Sequence, residues 1–399
     1  MNKAPSGYVY FLSASDRLNY GDLLFPMIFK EVLVKANSKL KFVNCGLVES
    51  DLSNFGALPT ISYRSLEKNI VKTGGCVVVG GGEVLFPTWG LLYSYINPVF
   101  SYLFYKYKFV KKFDERIGFS KRIISRTRQV SAFCVDLPNS KTFYNSVGGI
   151  GLKRISKNES EYASVKNNLQ KAEWVSLRDY ATAESLCEIR PDVQTVPDSA
   201  LIMSDVYPLS ELEDLISEDF KNLPDKYVVL QLGAKFEPQN LNQFVGEVRS
   251  IAERQNSKVV CCPIGLALGH DDHKVLKKIC ELAGDFLYAA PQNLFDIMYT
   301  IACSEVYLGT SLHGFITAQS FGCKFIPLNK RVHKMARYAK TWTEPLGVTD
   351  CHDYDNDWLA IHKINDNWDA EVANRLLQDQ KTKVYDNINT MIDAMGSES

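Results

Sequence analysis

Five short stretches carry groups that could grip an anion or move a proton, three of them beside glycines. Asn19-Tyr20-Gly21-Asp22 combines a flexible turn with a carboxylate. Asp22 is placed to cap a following helix, and Gly21 would let a ligand approach the backbone. Gly80-Gly81-Gly82-Glu83 follows Val77-Val78-Val79. Its exposed N–H groups could cradle an anion or a sugar hydroxyl, or simply form a tight turn. No G-x-G-x-x-G and no G-K-[ST] is present there, so the dinucleotide fingerprint and the P-loop are both excluded. Ser176-Leu177-Arg178-Asp179 puts a guanidinium at a strand end, suited to a phosphate or carboxylate, or to an Arg–Asp surface pair. Pro197-Asp198 offers a carboxylate as base, hydroxyl acceptor or cap. Gly309-Thr310-Ser311-Leu312-His313-Gly314 places an imidazole at a helix start, where the dipole disfavours its charged form and leaves it an acid/base candidate.

Two weaker clusters accompany these. Gly269-His270-Asp271-Asp272-His273 has the residue types of a metal site, but its close spacing cannot aim all of them at one point, so a helix start is the better reading and no metal is expected. Lys330, Arg331, His333, Lys334, Arg337 and Lys340 form a basic run after the last buried strand, a solvated face or an attractor for an anionic substrate.

The elements that must position these loops alternate along the chain. Strands are expected at Tyr8–Ala14, Lys41–Leu47, Cys76–Gly82, Trp174–Leu177 and Gln194–Val196. A second set follows at Tyr227–Leu232, Lys258–Ile264, Phe286–Ala289, Glu305–Leu308 and Lys324–Leu328. Helical patterns separate them, among them Leu23–Ala36, Gln239–Gln255, Asp272–Ala283, Leu294–Cys303 and Phe315–Phe321, with one or two more helices in Asp369–Met395. Short Val- and Ile-rich runs between helices imply parallel sheets covered on both faces. The polar stretch Ser204–Asp225 marks a boundary. The fold class is therefore α/β: two doubly wound Rossmann-like domains, 1–205 and 206–399, with a cleft between them and ligands at the strand carboxyl ends.

The chain has 399 residues, 46% of them apolar and 23% charged, with a net charge of −1. It is long enough for two cores. It lacks the global basic field of a nucleic-acid binder unless one face segregates charge. The ten cysteines include no C-x-x-C pair and read as reduced, core-forming residues, which favours a cytoplasmic protein. Met1–Gly7 has no signal-peptide pattern. No run reaches the roughly 18 to 20 apolar residues of a membrane span. Leu91–Tyr107 is rich in Tyr and Phe and leads into Lys108, Lys111 and Lys112. It is expected to be a helical hairpin packed on its own domain, with peripheral membrane contact as the alternative.

Taken in order, Asn19-Tyr20-Gly21-Asp22, Gly80-Gly81-Gly82, Val175-Ser176-Leu177-Arg178-Asp179, Val196-Pro197-Asp198 and Ser311-Leu312-His313-Gly314 resemble the polysaccharide pyruvyl transferase family over roughly residues 8–350. The resemblance implies a GT-B-like architecture. It also implies transfer of the pyruvyl group of phosphoenolpyruvate to two hydroxyls of a sugar, giving a cyclic ketal and phosphate without a metal or other cofactor. It carries over Arg178 as a donor-binding residue and His313 of the Leu-His-Gly motif. Many family members have Arg where this chain has Ser311, so Ser311, Lys330, Arg331 and Lys334 are the remaining donor-side candidates. The first domain would take the acceptor and the second the donor.

That chemistry sets requirements. The donor carries about three negative charges near neutral pH, so cations and N–H donors must meet it. The vinyl carbon must gain a proton while a hydroxyl attacks its neighbour. His313 is the expected acid/base group. Asp22 and Asp198 are further catalytic candidates, with Asn19, Gly21, Gly81, Gly82 and Glu83 around the acceptor. The acceptor is a saccharide precursor, lipid-linked if the aromatic segment touches a bilayer. Two rival readings are a sugar-nucleotide glycosyltransferase of the same architecture and a non-catalytic carbohydrate-binding relative. Oligomeric state is open.

Overall fold

Runs such as Val77-Val78-Val79 and Val228-Val229-Leu230 are apolar on both faces. They are stable only where helices cover both sides of a sheet, and they pair here in that way. The computed structural model describes residues 7–396 apart from 86, 127–128, 130, 150–158 and 266–270. The chain divides into two compact units. The first comprises residues 1–53, 57–199 and 384–399, and the second 54–56 and 200–383.

The first unit is built on β1 (Tyr8–Leu12), β2 (Lys41–Cys45), β3 (Gly75–Gly80), β4 (Ser140–Val147), β5 (Trp174–Leu177) and β6 (Gln194–Thr195), all parallel in the order β2-β1-β3-β4-β5-β6. Its helices are α1 (Tyr20–Ala36), α2 (Tyr63–Thr73), α3 (Trp89–Ser94), α4 (Pro98–Lys106), α5 (Lys108–Ile117), α6 (Phe119–Ile124), α7 (Glu159–Lys171) and α8 (Tyr180–Leu186). Strand order reverses between β1 and β3, and such a reversal opens a crevice at the strand carboxyl ends. The loops that leave β1 and β3 there are 13–19 and 81–83.

The second unit carries β7 (Tyr227–Gln231), β8 (Lys258–Cys261), β9 (Leu287–Tyr288), β10 (Val306–Gly309) and β11 (Lys324–Pro327), parallel in the order β11-β10-β7-β8-β9. Around them lie α9 (Leu241–Arg254), α10 (Asp272–Ala283), α11 (Leu294–Ala302), α12 (Leu312–Ser320), α13 (His333–Trp342) and α14 (Trp358–Asp366), with α15 (Ala370–Gly396) closing the chain. Here the order reverses between β7 and β10.

Several details differ from the sequence expectation. β4 was not expected, because Ser140, Lys141, Thr142, Asn145 and Ser146 disguise it. Two of its buried polar atoms find partners from distant segments. Asn145 Oδ1 accepts from Asn387 Nδ2 at 2.8 Å, and Ser146 Oγ donates to the carbonyls of Val196 and Pro197 at 3.1 and 2.7 Å. The Asn387 bond, with Trp174 Nε1 donating to Asn387 Oδ1 at 2.8 Å, places the last turns of α15 with the first unit. The units therefore part at Ser199/Ala200, and residues 384–399 do not go with the second. Asp22 is not a helix cap: α1 starts at Tyr20, with Asn19 at the capping position and Asp22 in the first turn. α12 starts at Leu312, earlier than the expected Phe315, so His313 lies inside it. The aromatic segment Leu91–Tyr107 forms two short helices, α3 and α4, which pack on each other through Tyr93 and Phe100, and α5 and α6 follow it. Nine of the ten cysteines are buried or partly buried, and Cys187 is exposed.

Candidate functional site

In the first unit the side chains singled out above meet along the carboxyl edge of the sheet. β5 delivers Arg178 into the protein, 1% exposed. Its Nη2 donates to Glu83 Oε1 at 2.6 Å and its Nη1 to Asp198 Oδ2 at 3.3 Å. This is no surface pair. Burial by itself would lower the guanidinium pKa, but the Glu83 and Asp198 carboxylates outweigh it and hold Arg178 above its ordinary value. Asp198 is fully buried, whereas the Glu83 side chain is 27% exposed, so Glu83 is the member of the triad that reaches solvent. Arg178 thus bridges two carboxylates that come from different strand ends.

The backbone shapes this edge. Gly81 sits at φ 85°, in the left-handed region, and any side chain there would overlap the Phe25 ring. Gly82 O accepts from Gly148 N at 2.8 Å, which ties the glycine loop to the end of β4. A Cβ on Gly148 would lie 2.8 Å from Arg178 Nε and 2.9 Å from Glu83 Oε1, so only glycine lets the ion pair close. Asn19 Nδ2 donates to Asp22 Oδ2 at 2.6 Å, and Gly82 lies against Asp22, 3.2 Å from its Oδ1 to the Cβ position. Asp22 in the first turn of α1 also meets the positive end of the helix dipole. Asp179 caps α8, accepting from Thr182 N at 2.8 Å.

The second unit builds a polar knot at its own reversal point. Gln231, the last residue of β7, donates through Nε2 to Asp272 Oδ2 at 2.7 Å. Its Oε1 accepts from Thr310 N at 3.0 Å and from the Tyr307 hydroxyl at 3.3 Å. Thr310 Oγ1 accepts from Gly233 N at 2.9 Å. Asp272 is also the acceptor for Gly265 N at 2.8 Å and Ile264 N at 3.3 Å, and still its carboxyl is pushed up to about 6, because burial outweighs those bonds. Ser311 caps α12, its Oγ accepting from Gly314 N at 3.3 Å. His313 follows in the first turn and is 7% exposed. Lys330, Arg331 and Lys334 are exposed. Arg331 is held by Asn329 Oδ1 at 3.2 Å and lies 5.5 Å over the Phe236 ring. His270 lies outside the described residues. Among those described, no three His, Cys, Asp or Glu side chains gather as metal ligands would.

A model of the family described as polysaccharide pyruvyl transferase matches residues 19–329. The chain belongs to the polysaccharide pyruvyl transferase family. That span opens at Asn19 and closes at Asn329, so it encloses both strand-end groups. No curated protein matches this family member by sequence. Among solved structures it is similar to the UDP-GlcNAc 2-epimerase of Neisseria meningitidis bound to UDP-GlcNAc, at 11% identity and TM-score 0.54, over 97% of this chain and 98% of that one. The UDP-GlcNAc 2-epimerase of Methanocaldococcus jannaschii matches at 11% identity and TM-score 0.53, over 94% and 99%. That of Rickettsia bellii matches at 10% identity and TM-score 0.51, over 97% of each chain. At such identities the likeness is one of fold: two Rossmann-like domains in a GT-B-like arrangement of elements.

Sequence reasoning missed three parts of this pyruvyl transferase's strand-end groups. Gln231 was visible as the one polar residue in an apolar strand. Asp272 was read as part of a helix start. Gly148 carried no local signal, since its need for a hydrogen side chain arises from Arg178 and Glu83, both far away in sequence.

Proposed function

We propose that this family member transfers the pyruvyl group of phosphoenolpyruvate to two hydroxyls of a sugar in a polysaccharide precursor, in the cytoplasm and without a cofactor. Two hydroxyls add in turn. The first attacks the donor's central carbon while its methylene carbon gains a proton. The second displaces phosphate, breaking the carbon–oxygen bond to the leaving group and leaving a methyl ketal. The observation that carries the reading is the Glu83–Arg178–Asp198 triad at the carboxyl edge of the first sheet, which joins the ends of β3, β5 and β6 within the span the family model matches.

The roles follow from pairing and charge. Both terminal nitrogens of Arg178 are taken by carboxylates, Nη2 by Glu83 and Nη1 by Asp198. Arg178, expected among the donor ligands, is therefore assigned a positioning role: it holds Glu83 in place. Glu83, with Asp22, Asn19 and the N–H groups of Gly81 and Gly82, takes acceptor hydroxyls, which need hydrogen-bond acceptors and a base. On the second unit Lys330, Arg331 and Lys334 supply the cations for the donor, with the Ser311 hydroxyl as a further donor ligand and His313 as the acid/base group.

Incubation with phosphoenolpyruvate and a galactoside or mannoside, with phosphate release measured and the ketal methyl sought by NMR, tests the reading. Phosphate and ketal appearing together support it. Turnover of UDP-GlcNAc or another sugar nucleotide, with phosphoenolpyruvate inert, replaces it by the glycosyltransferase reading. Sugar binding without turnover of any donor replaces it by the carbohydrate-binding one.

A further inference from the structure

The helices α4–α6 have two faces of opposite character. The inner face is stitched to the first unit. Tyr93 and Phe100 pack with ring centres 4.9 Å apart, and Phe100 lies 5.5 Å from Phe104. Buried Asp114 accepts from Ser120 N and Ser120 Oγ, both at 2.7 Å, and so braces α5 against α6. Glu67 of α2 accepts from Arg126 N at 2.8 Å. The outer face is apolar and bare. Val99, Tyr102, Tyr105, Phe109 and Phe113 are each 59–70% exposed, and every Phe that is exposed among the described residues lies on α5 or α6. Phe109 and Phe113, one turn apart, share a face of α5.

The same segment concentrates cations. Residues 98–126 hold eight Lys and Arg against two acids, and one of those, Asp114, is turned inward. In a chain of net charge −1 this is a segregated positive patch. Lys106 lies 4.7 Å over the Tyr102 ring, so ring and ammonium share one rim. Aromatic side chains beside lysines on short helices, held rigid from behind, match the interface between the headgroups and acyl chains of a bilayer. A second copy of the chain is a poor occupant, because a two-fold pairing would set each cluster of cations against its own image. No helix among the described residues is long and apolar enough to cross a membrane, so the contact is one that lies on the surface.

We propose that the outer face of α4–α6 docks this protein on an anionic lipid bilayer. The segment also reaches the acceptor edge of the same unit: the Arg17 guanidinium lies 5.4 Å over the Tyr95 ring, two residues before Asn19. A lipid-anchored acceptor would arrive beside Asp22.

The full chain is to be sedimented with vesicles of phosphatidylcholine alone and with phosphatidylcholine–phosphatidylglycerol vesicles, at low and high salt. Binding to the mixed vesicles, weakened by salt and absent on the neutral ones, is expected. Phe109→Ser/Phe113→Ser and, separately, Lys111→Glu/Lys112→Glu are each expected to lower the vesicle partition coefficient by about tenfold or more, with Tm and elution volume unchanged. Wild-type protein that ignores the mixed vesicles overturns the proposal. So does a Phe109→Ser/Phe113→Ser protein that changes from dimer to monomer, since a second copy then covers the face. If the Ser pair lowers Tm, the charge-reversal pair carries the test, and its full retention of binding is equally fatal.

Discussion

Arg178→Met keeps most of the side-chain volume and deletes the charge between Glu83 and Asp198. Removing one member of a buried ion pair costs about 3–5 kcal/mol, mostly because its partners are left charged and unpaired. Here the lower end applies, since Glu83 can relax toward water while the fully buried Asp198 cannot. About 3 kcal/mol in a unit of about 200 residues corresponds to a fall in Tm of about 6–12 °C. Thermal melts of Arg178→Met, Arg178→Met/Asp198→Asn and the parent protein test the cause as well as the size. The double variant also neutralises the buried Asp198 side chain, so it should recover at least half of the loss. A single variant melting within about 2 °C of the parent, or a double variant no better than the single one, would refute the triad as the origin of order at this edge.

Three further outcomes are expected. Asp272 has its folded-state carboxyl raised to about 6 from an ordinary 3.8, so it binds its proton more tightly when folded. Its stabilising contribution is complete below about pH 4 and is lost as pH rises to about 6, at a cost on the order of 3 kcal/mol above that range. Asp272→Asn should therefore gain stability relative to the parent between pH 4 and 7 in melting curves, and parallel curves would remove the burial argument. His313→Ala should cut kcat about 10²- to 10⁴-fold in the phosphoenolpyruvate assay while leaving Tm within a few degrees; undiminished turnover would exclude His313 as the proton carrier. Ser311→Arg should lower the donor KM by adding a cation, while loss of the α12 cap costs about 1 kcal/mol. An unchanged KM would place the donor elsewhere.

Much of the scaffold was legible because buried parallel strands write themselves in Val and Ile, and Trp174–Leu177 was read to the residue. β4 was illegible for a physical reason: Asn145 Oδ1 is paired by α15 and Ser146 Oγ by the carbonyls just after β6, and no local pattern reports a partner more than 200 residues away. The start of α1 was misread because Asn19 and Asp22 are both good capping residues, and only the folded turn chooses between them. At the candidate site the residue types were visible but their pairing was not. Arg178 reads in the sequence as an anion ligand or as half of an Arg–Asp surface pair, and nothing short of the folded sheet brings Glu83 and Asp198 to it. The α3–α6 aromatics show the same limit, since composition alone cannot say which rings turn inward.

Asn387 has a consequence for how the molecule is made. The first sheet leaves the ribosome early, yet Asn145 and Trp174 wait for a partner encoded more than 200 residues downstream. The second sheet is wholly synthesised before that partner emerges. The later-encoded half can thus consolidate while the earlier-encoded half is still unfinished, reversing the usual order in which growing chains mature from their amino terminus.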